Sequence, residues 1–301
     1  MNYRKILKSN RSKTKVVIAL YFAIYINIGI LLDIALFGTS DSLGEEFIKF
    51  FSFQTIPVAT IAMVGVAIIS FLVTIKFYKR LIMSGSQYVR ITNDTKTEHK
   101  KIFNIVENLA LSARIKVPEV YLIEEEYMNA FASGFDENNS MIAITEGLYN
   151  KLTRPELEAV IAHELSHIKH EDIKLTLFVG VMTNIMLIVV NFMAYSFSGS
   201  NSKSSDKAKM ILLVLNFVLP LITIVLEMYL SRKREFMADA GAVQITGSNT
   251  NMINALKKIS GDYDDNSYND DNRARRAAYI FNPSSLFSTH PPISERIESL
   301  S

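Results

Sequence analysis

Ala162-His163-Glu164-Leu165-Ser166-His167 decides how this chain is read. On a helix of 3.6 residues per turn, His163 and His167 fall within about 40° of one another, so two imidazoles can grip one metal ion from a single face. Glu164 stands one step round the helix and can reach a water on that ion without being spent as a ligand. Three fixed residue types at this spacing arise by chance in roughly 4% of chains of this length, taking about 1 in 20 per type. The neighbouring residues must therefore carry the argument.

They favour a helix. Thr153-Arg154-Pro155-Glu156 has the form of a capping box, in which Thr153 bonds a free backbone N–H, Glu156 reaches back, and Pro155 is tolerated in the first turn. Leu157, Val160, Ile161, Leu165 and Ile168 recur at steps of three and four, an apolar stripe that packs in a core while the histidines face a cleft.

The apolar residues, 49% of 301, are bunched rather than spread. The runs at 16–32, 56–75, 175–197 and 210–230 mostly approach the roughly 20 residues that cross a bilayer as helix, which predicts an integral membrane protein. A net charge of +2 without a broad basic surface gives no sign of a nucleic-acid partner. The absence of cysteine excludes disulfides, thiolate ligands and cysteine nucleophiles, and leaves the redox compartment open.

Residues 1–15 hold Arg4, Lys5, Lys8, Arg11, Lys13 and Lys15 and no acid, which predicts a cytoplasmic N-terminal end. The first run exceeds a signal-peptide core and no Ala-x-Ala site follows, so cleavage is not expected. Asp41, Glu45 and Glu46 suit the outer side; Lys76, Lys79 and Arg80 bring the chain back to the cytoplasm. Asp33, at the edge of the first run, is expected at the interface. From about residue 92 the composition is that of a soluble domain. Ile102, Ile105, Val106 and Leu109 have helical spacing; Val120 to Ile123 reads as a strand; 128–132 and 140–145 read as two more, flanking a turn at Gly134 to Asn139. Small residues at Ala130 and Ala132 would let an extended peptide lie along one of these strands, and an ordinary core hairpin is the equal alternative.

A catalytic zinc takes a third protein ligand. The metzincin pattern fails, because Ile173 stands where its third histidine belongs and His170 where its glycine turns the chain. His170 shares a face with His163, but three ligands from one straight helix strain the geometry, so a surface or supporting place suits it better. Glu235 and Asp239 lie one helical turn apart in Ser231-Arg232-Lys233-Arg234-Glu235-Phe236-Met237-Ala238-Asp239. Glu235 can bind the ion while Asp239 accepts the N–H of a liganding histidine; a solvated acid pair balancing Arg232 to Arg234 is the bland alternative.

With Asn129-Ala130-Phe131-Ala132, Thr289-His290-Pro291-Pro292 and the segments above, the chain resembles over nearly its whole length the HtpX-type membrane zinc metalloproteases, gluzincins related to the CAAX prenyl proteases. The resemblance implies one Zn2+ per chain held by His163, His167 and Glu235, with Glu164 as catalytic base. It also implies a substrate cleft bordered by Asn129, Ala130, Phe131 and Ala132, and His290 near the site as an oxyanion stabiliser that Arg296 supports. His170 and the polar, acidic stretch from Gly261 to Asn272, read as a solvated loop, depart from the family pattern.

The expected fold is α+β: a mainly helical zinc-protease domain with a small β-sheet, plus four hydrophobic membrane helices. Residues 1–91 form an N-terminal membrane region with helices at about 16–37 and 56–75. Residues 92–174 and 231–301 form a cytoplasmic catalytic domain, and 175–230 a membrane hairpin with helices at about 175–197 and 210–230. His167 and Glu235 can meet only if that hairpin leaves and returns. Asn184, Asn191, Asn216, Pro220 and Glu227 leave its full spanning open, and Lys203, Lys207 and Lys209 argue mildly against an outer loop. The expected function is cleavage of damaged membrane proteins from within the cell (inner) membrane, the partners being the bilayer and protein or peptide substrates. Its rivals are a processing protease for one prenylated or signalling peptide, and a transporter or scaffold with an incidental motif.

Overall fold

The computed structural model describes residues 3–37, 45, 48–49, 52, 56–95, 98–198, 203–229, 232–265 and 291–301. In chain order these form α1 (Tyr3–Phe37), α2 (Val58–Met83), β1 (Tyr88–Ile91), α3 (Lys100–Ala113), β2 (Glu119–Ile123), β3 (Ala130–Asp136), β4 (Asn139–Thr145), α4 (Glu146–Lys151) and α5 (Arg154–Lys169). There follow α6 (Ile173–Ser198), α7 (Lys203–Tyr229), α8 (Arg232–Thr246), α9 (Asn249–Asp265) and α10 (Ile293–Leu300). The chain is thus mostly helical with one small mixed sheet, the expected fold class.

Each apolar run lies on one long helix. Lys5–Phe37, Val58–Met83 and Ile173–Ser196 are long and apolar enough to cross a membrane. The fourth run lies on α7, which also carries Asp206, Lys207, Lys209, Asn216 and an internal Pro220; three of the four expected membrane helices are thus candidate spans among the described residues. Contacts divide the chain into two units, Met1–Thr14, Tyr78–Gly180 and Leu226–Ser301 in one, Lys15–Phe77 and Val181–Val225 in the other.

In the second unit, α1 and α2 pack closely at one point. A Cβ on Gly29 would sit 2.5 Å from Thr60 Cα, so only glycine fits this approach. One turn on, Asp33 is buried and caps α2: it accepts from Ala59 N at 2.7 Å, Thr60 N at 2.8 Å and Thr60 Oγ1 at 2.7 Å. It serves there as the cap of α2, at the start of a candidate span.

In the first unit the strand order is β1-β2-β4-β3, with β2 and β4 parallel and the outer pairs antiparallel. Val120, Leu122, Ala130, Ala132, Ile142 and Ile144 turn one face into a core shared with α3, α5 and α9. β1 was not anticipated: its first three residues are exposed and give no alternation to read. The β3–β4 turn is shorter than expected, because Asp136 Oδ1 accepts from Asn138 N at 2.8 Å and Asn139 N at 3.0 Å and closes it there. β3 therefore runs on past Ala132 to Asp136. The stretch read as a loop from Gly261 also differs, since α9 continues to Asp265. Asp262 holds it down, bonding Lys151 Nζ at 2.5 Å and Met128 N at 3.1 Å. Residues 266–272 of that stretch lie outside the described residues.

Candidate metal centre

Helix α5 opens with the capping box: Thr153 bonds the N3 backbone, and Glu156 Oε2 accepts from Thr153 N at 2.8 Å. Burial of Leu157, Val160, Ile161, Leu165 and Ile168 fixes its rotation and turns His163, Glu164 and His167 toward α8 and β3. The approach to α8 is tight, as a Cβ on Gly241 would meet Ser166 Cβ at 2.9 Å. On α8, Glu235 and Asp239 are both buried.

The two Nε2 atoms of His163 and His167 lie 3.0 Å apart. Glu235 Oε2 is 3.7 Å from the first and Oε1 3.8 Å from the second, and one ligand atom from each residue falls within 4.8 Å of the others. Zinc bound tetrahedrally at about 2.0–2.1 Å holds its ligand atoms about 3.3 Å apart, so two imidazoles and a carboxylate at these separations fit it. The far side of each ring is also settled. His163 Nδ1 is 2.8 Å from Asp239 Oδ1, and His167 Nδ1 is 3.1 Å from both oxygens of Asp172. A carboxylate at Nδ1 places the ring proton there and frees Nε2 for a metal.

Asp239 is itself gripped by a buried arginine from α10: Arg296 Nε donates at 2.9 Å and Nη2 at 2.6 Å. Burial would raise the Asp239 carboxyl, but the guanidinium and His163 hold it down at about 2. Burial would lower His163, yet Asp239 and Glu235 push it up to about 9; His167 is raised as well, Asp172 and Glu235 outweighing its burial. Glu164 goes up because it is buried, although both histidines pull the other way. One of its oxygens, Oε1, accepts no hydrogen bond among the described residues, and the carboxylate takes the Ala132 backbone N–H on the edge strand β3.

Of the residues singled out in the sequence, the structure brings together His163, Glu164, His167, Glu235 and Asp239, with Ala132 of the Asn129 to Ala132 stretch bonded to Glu164. His290 lies outside the described residues. His170 stands at the end of α5, outside the cluster that can hold an ion, and burial lowers its pKa. Arg296 grips Asp239. Asp172 escaped sequence reasoning altogether: it lies beyond the α5 pattern, and only the turn at Glu171, with φ 53, returns it to His167.

Two histidines from one helix and an acid from another form a group that could hold a metal ion, with a further carboxylate against an edge strand, an arrangement a metallopeptidase can use. Residues 96–301 match the model of Peptidase family M48. "Protease HtpX homolog" of Helicobacter acinonychis is 45% identical over 307 residues, covering 100% of this chain and 99% of its own. The protein of that name from Helicobacter pylori strain J99 is 46% identical over 305 residues, 99% of this chain and 98% of the relative. The fold resembles the crystal structure of S. mikatae Ste24p, with TM-score 0.50 and 18% identity over 95% of this chain; the chain spans 65% of that protein's length. This chain belongs to peptidase family M48, and it is a membrane metalloprotease.

Proposed function

We propose that the chain is a zinc-dependent endopeptidase whose single Zn2+ is held by His163, His167 and Glu235. The observation that carries this reading is the arrangement of the two imidazoles: Nε2 atoms 3.0 Å apart and near Glu235, with each Nδ1 turned to its own carboxylate. Zinc at these ligands supplies Lewis acidity toward water and a peptide carbonyl. Glu164 takes the proton of the attacking water and delivers it to the leaving amine; its raised pKa suits both transfers. The stretch Asn129, Ala130, Phe131 and Ala132 aligns an extended peptide beside Glu164, along β3, which ends the order of the described strands. His290 stabilises the oxyanion, a role that rests on the family resemblance.

The basic residues before the first apolar run and Lys76, Lys79 and Arg80 support a cytoplasmic side for both the N-terminal end and the catalytic domain, 92–174 and 231–301. Ile173, six residues past His167, begins a candidate span, so the cleft sits close to the membrane surface. Damaged or misfolded membrane proteins and their cytoplasmic loops are the substrates that can reach it, which makes membrane protein quality control the proposed role.

Metal content of the purified full chain, with and without Glu235, tests the site. Cleavage assays across several loosely folded membrane proteins test the breadth of the substrate class. One tightly held zinc that vanishes in Glu235→Gln, with many substrates cut, is the expected result. A chain that holds no zinc, or cuts one peptide alone, overturns the corresponding half.

A further inference from the structure

The helices that carry the proposed ligands, α5 and α8, are separated in sequence by α6 and α7, yet a second set of contacts joins them at the first turn of α6. The chain leaves α5 through Glu171, whose φ of 53 is a conformation that a side chain disfavours. Two contacts from α1 hold this turn: Arg11 bonds both oxygens of Glu171, at 2.6 and 2.5 Å, and Asn10 Nδ2 donates to the His170 carbonyl at 2.9 Å. Asp172 follows. Its carbonyl starts α6, accepting from Leu175 N at 3.1 Å and Thr176 N at 3.3 Å, so the helix start uses its backbone. The residue is 2% exposed, and both its carboxylate oxygens lie 3.1 Å from His167 Nδ1. A buried carboxylate is unfavourable unless hydrogen-bonded, and here its partner is the ring of a ligand.

The same turn reaches the other helix. Thr176 Oγ1 accepts a hydrogen bond from Arg234 Nη1, and Arg234, buried, has its Nε 3.3 Å from Glu235 Oε1. The opening of α6 therefore touches His167 through one residue and the neighbour of Glu235 through another.

We propose that the first turn of α6 is a positioning element of the metal centre: Asp172 holds His167 with Nε2 presented to the metal, and Thr176 holds Arg234 beside Glu235. These roles rest on the ligand assignment proposed above. The two arms should differ in weight, because Asp172 acts on a ligand directly and Thr176 acts through Arg234.

The test uses the full chain purified in detergent. Zinc affinity is measured against a competing chelator, Co2+ in place of zinc reports ligand geometry through its visible absorption, and the melting temperature of the metal-free protein reports folding. Asp172→Ala is expected to lose about 10- to 100-fold in zinc affinity and to change the Co2+ spectrum, with Asp172→Asn, which keeps an acceptor, recovering part of both. Thr176→Val is expected to lose about 3- to 10-fold, and Thr176→Ser to bind as the wild type. Wild-type affinity and spectra in Asp172→Ala and Thr176→Val overturn the proposal, as do losses that merely follow the drop in metal-free melting temperature. Should Asp172→Ala not fold, Asp172→Asn and the two Thr176 variants decide. A wild type that takes up no zinc sinks the ligand assignment itself; a zinc-binding wild type whose variants bind equally well sinks only the positioning role.

Discussion

Two helix pairs in this protein are built alike and serve differently. Where α1 meets α2, Gly29 allows close approach and a buried aspartate, Asp33, lies one turn further on. Where α5 meets α8, Gly241 allows the approach and a buried aspartate, Asp239, stands half a turn away. The partners separate the cases. Asp33 spends its oxygens on two backbone amides and a hydroxyl, groups that any helix start must satisfy. Asp239 spends its oxygens on an imidazole and a guanidinium, which no helix requires. A buried carboxylate is thus architectural or chemical according to what it bonds, and burial alone does not distinguish them.

The strongest test of that contrast lies beside Asp239. On the proposed assignment, Glu164→Gln should reduce peptide cleavage by about 10²- to 10⁴-fold while zinc stays bound, since there its carboxylate moves protons and is not a ligand. Glu235→Gln should lose both, with zinc affinity falling by more than about 100-fold. Equal zinc loss in the two variants would erase the division of roles between these acids. Asp239→Ala comes next: a loss of about 10- to 100-fold in zinc affinity or activity, reversed by added zinc.

Acidity sharpens the picture on the same side. His163 is pushed up to about 9 in the metal-free protein, so at neutral pH it carries a proton that zinc must displace. Apparent zinc affinity should therefore rise with pH by about tenfold per unit for each proton displaced, until pH passes about 9, where the His163 contribution levels off. Chelator competition across the range checks this, and a flat profile would mean that no proton leaves the histidine when zinc binds.

The smallest effect belongs to the other pair. Asp33→Ala should lower stability by about 1–3 kcal/mol, read in the melting temperature, and leave zinc affinity where it was. If it costs as much zinc as Asp239→Ala, the contrast fails.

What could be read from the sequence was whatever one helix contains. The capping box at Thr153, the stripe from Leu157 to Ile168, the paired histidines, and the one-turn spacing of Glu235 and Asp239 all repeat at 3.6 residues and need no knowledge of neighbours. Asp172 needed a backbone angle at Glu171 that no pattern announces. The grip of Arg296 on Asp239 joins residues 57 apart, beyond the reach of periodicity. β1 was invisible for the opposite reason, its outward-facing residues leaving no apolar alternation.

The contact between Arg296 and Asp239 also sets an order in time. A ribosome makes the two histidines first, then two long helices, then Glu235 and Asp239, and Arg296 later still. On the proposed assignment, a nascent chain carries two imidazoles with no carboxylate to complete them until α6 and α7 have been made. It lacks the arginine that steadies Asp239 for some time after that. On that assignment the three ligands cannot meet before α8 has been made, and Asp239 is not steadied before α10 has followed.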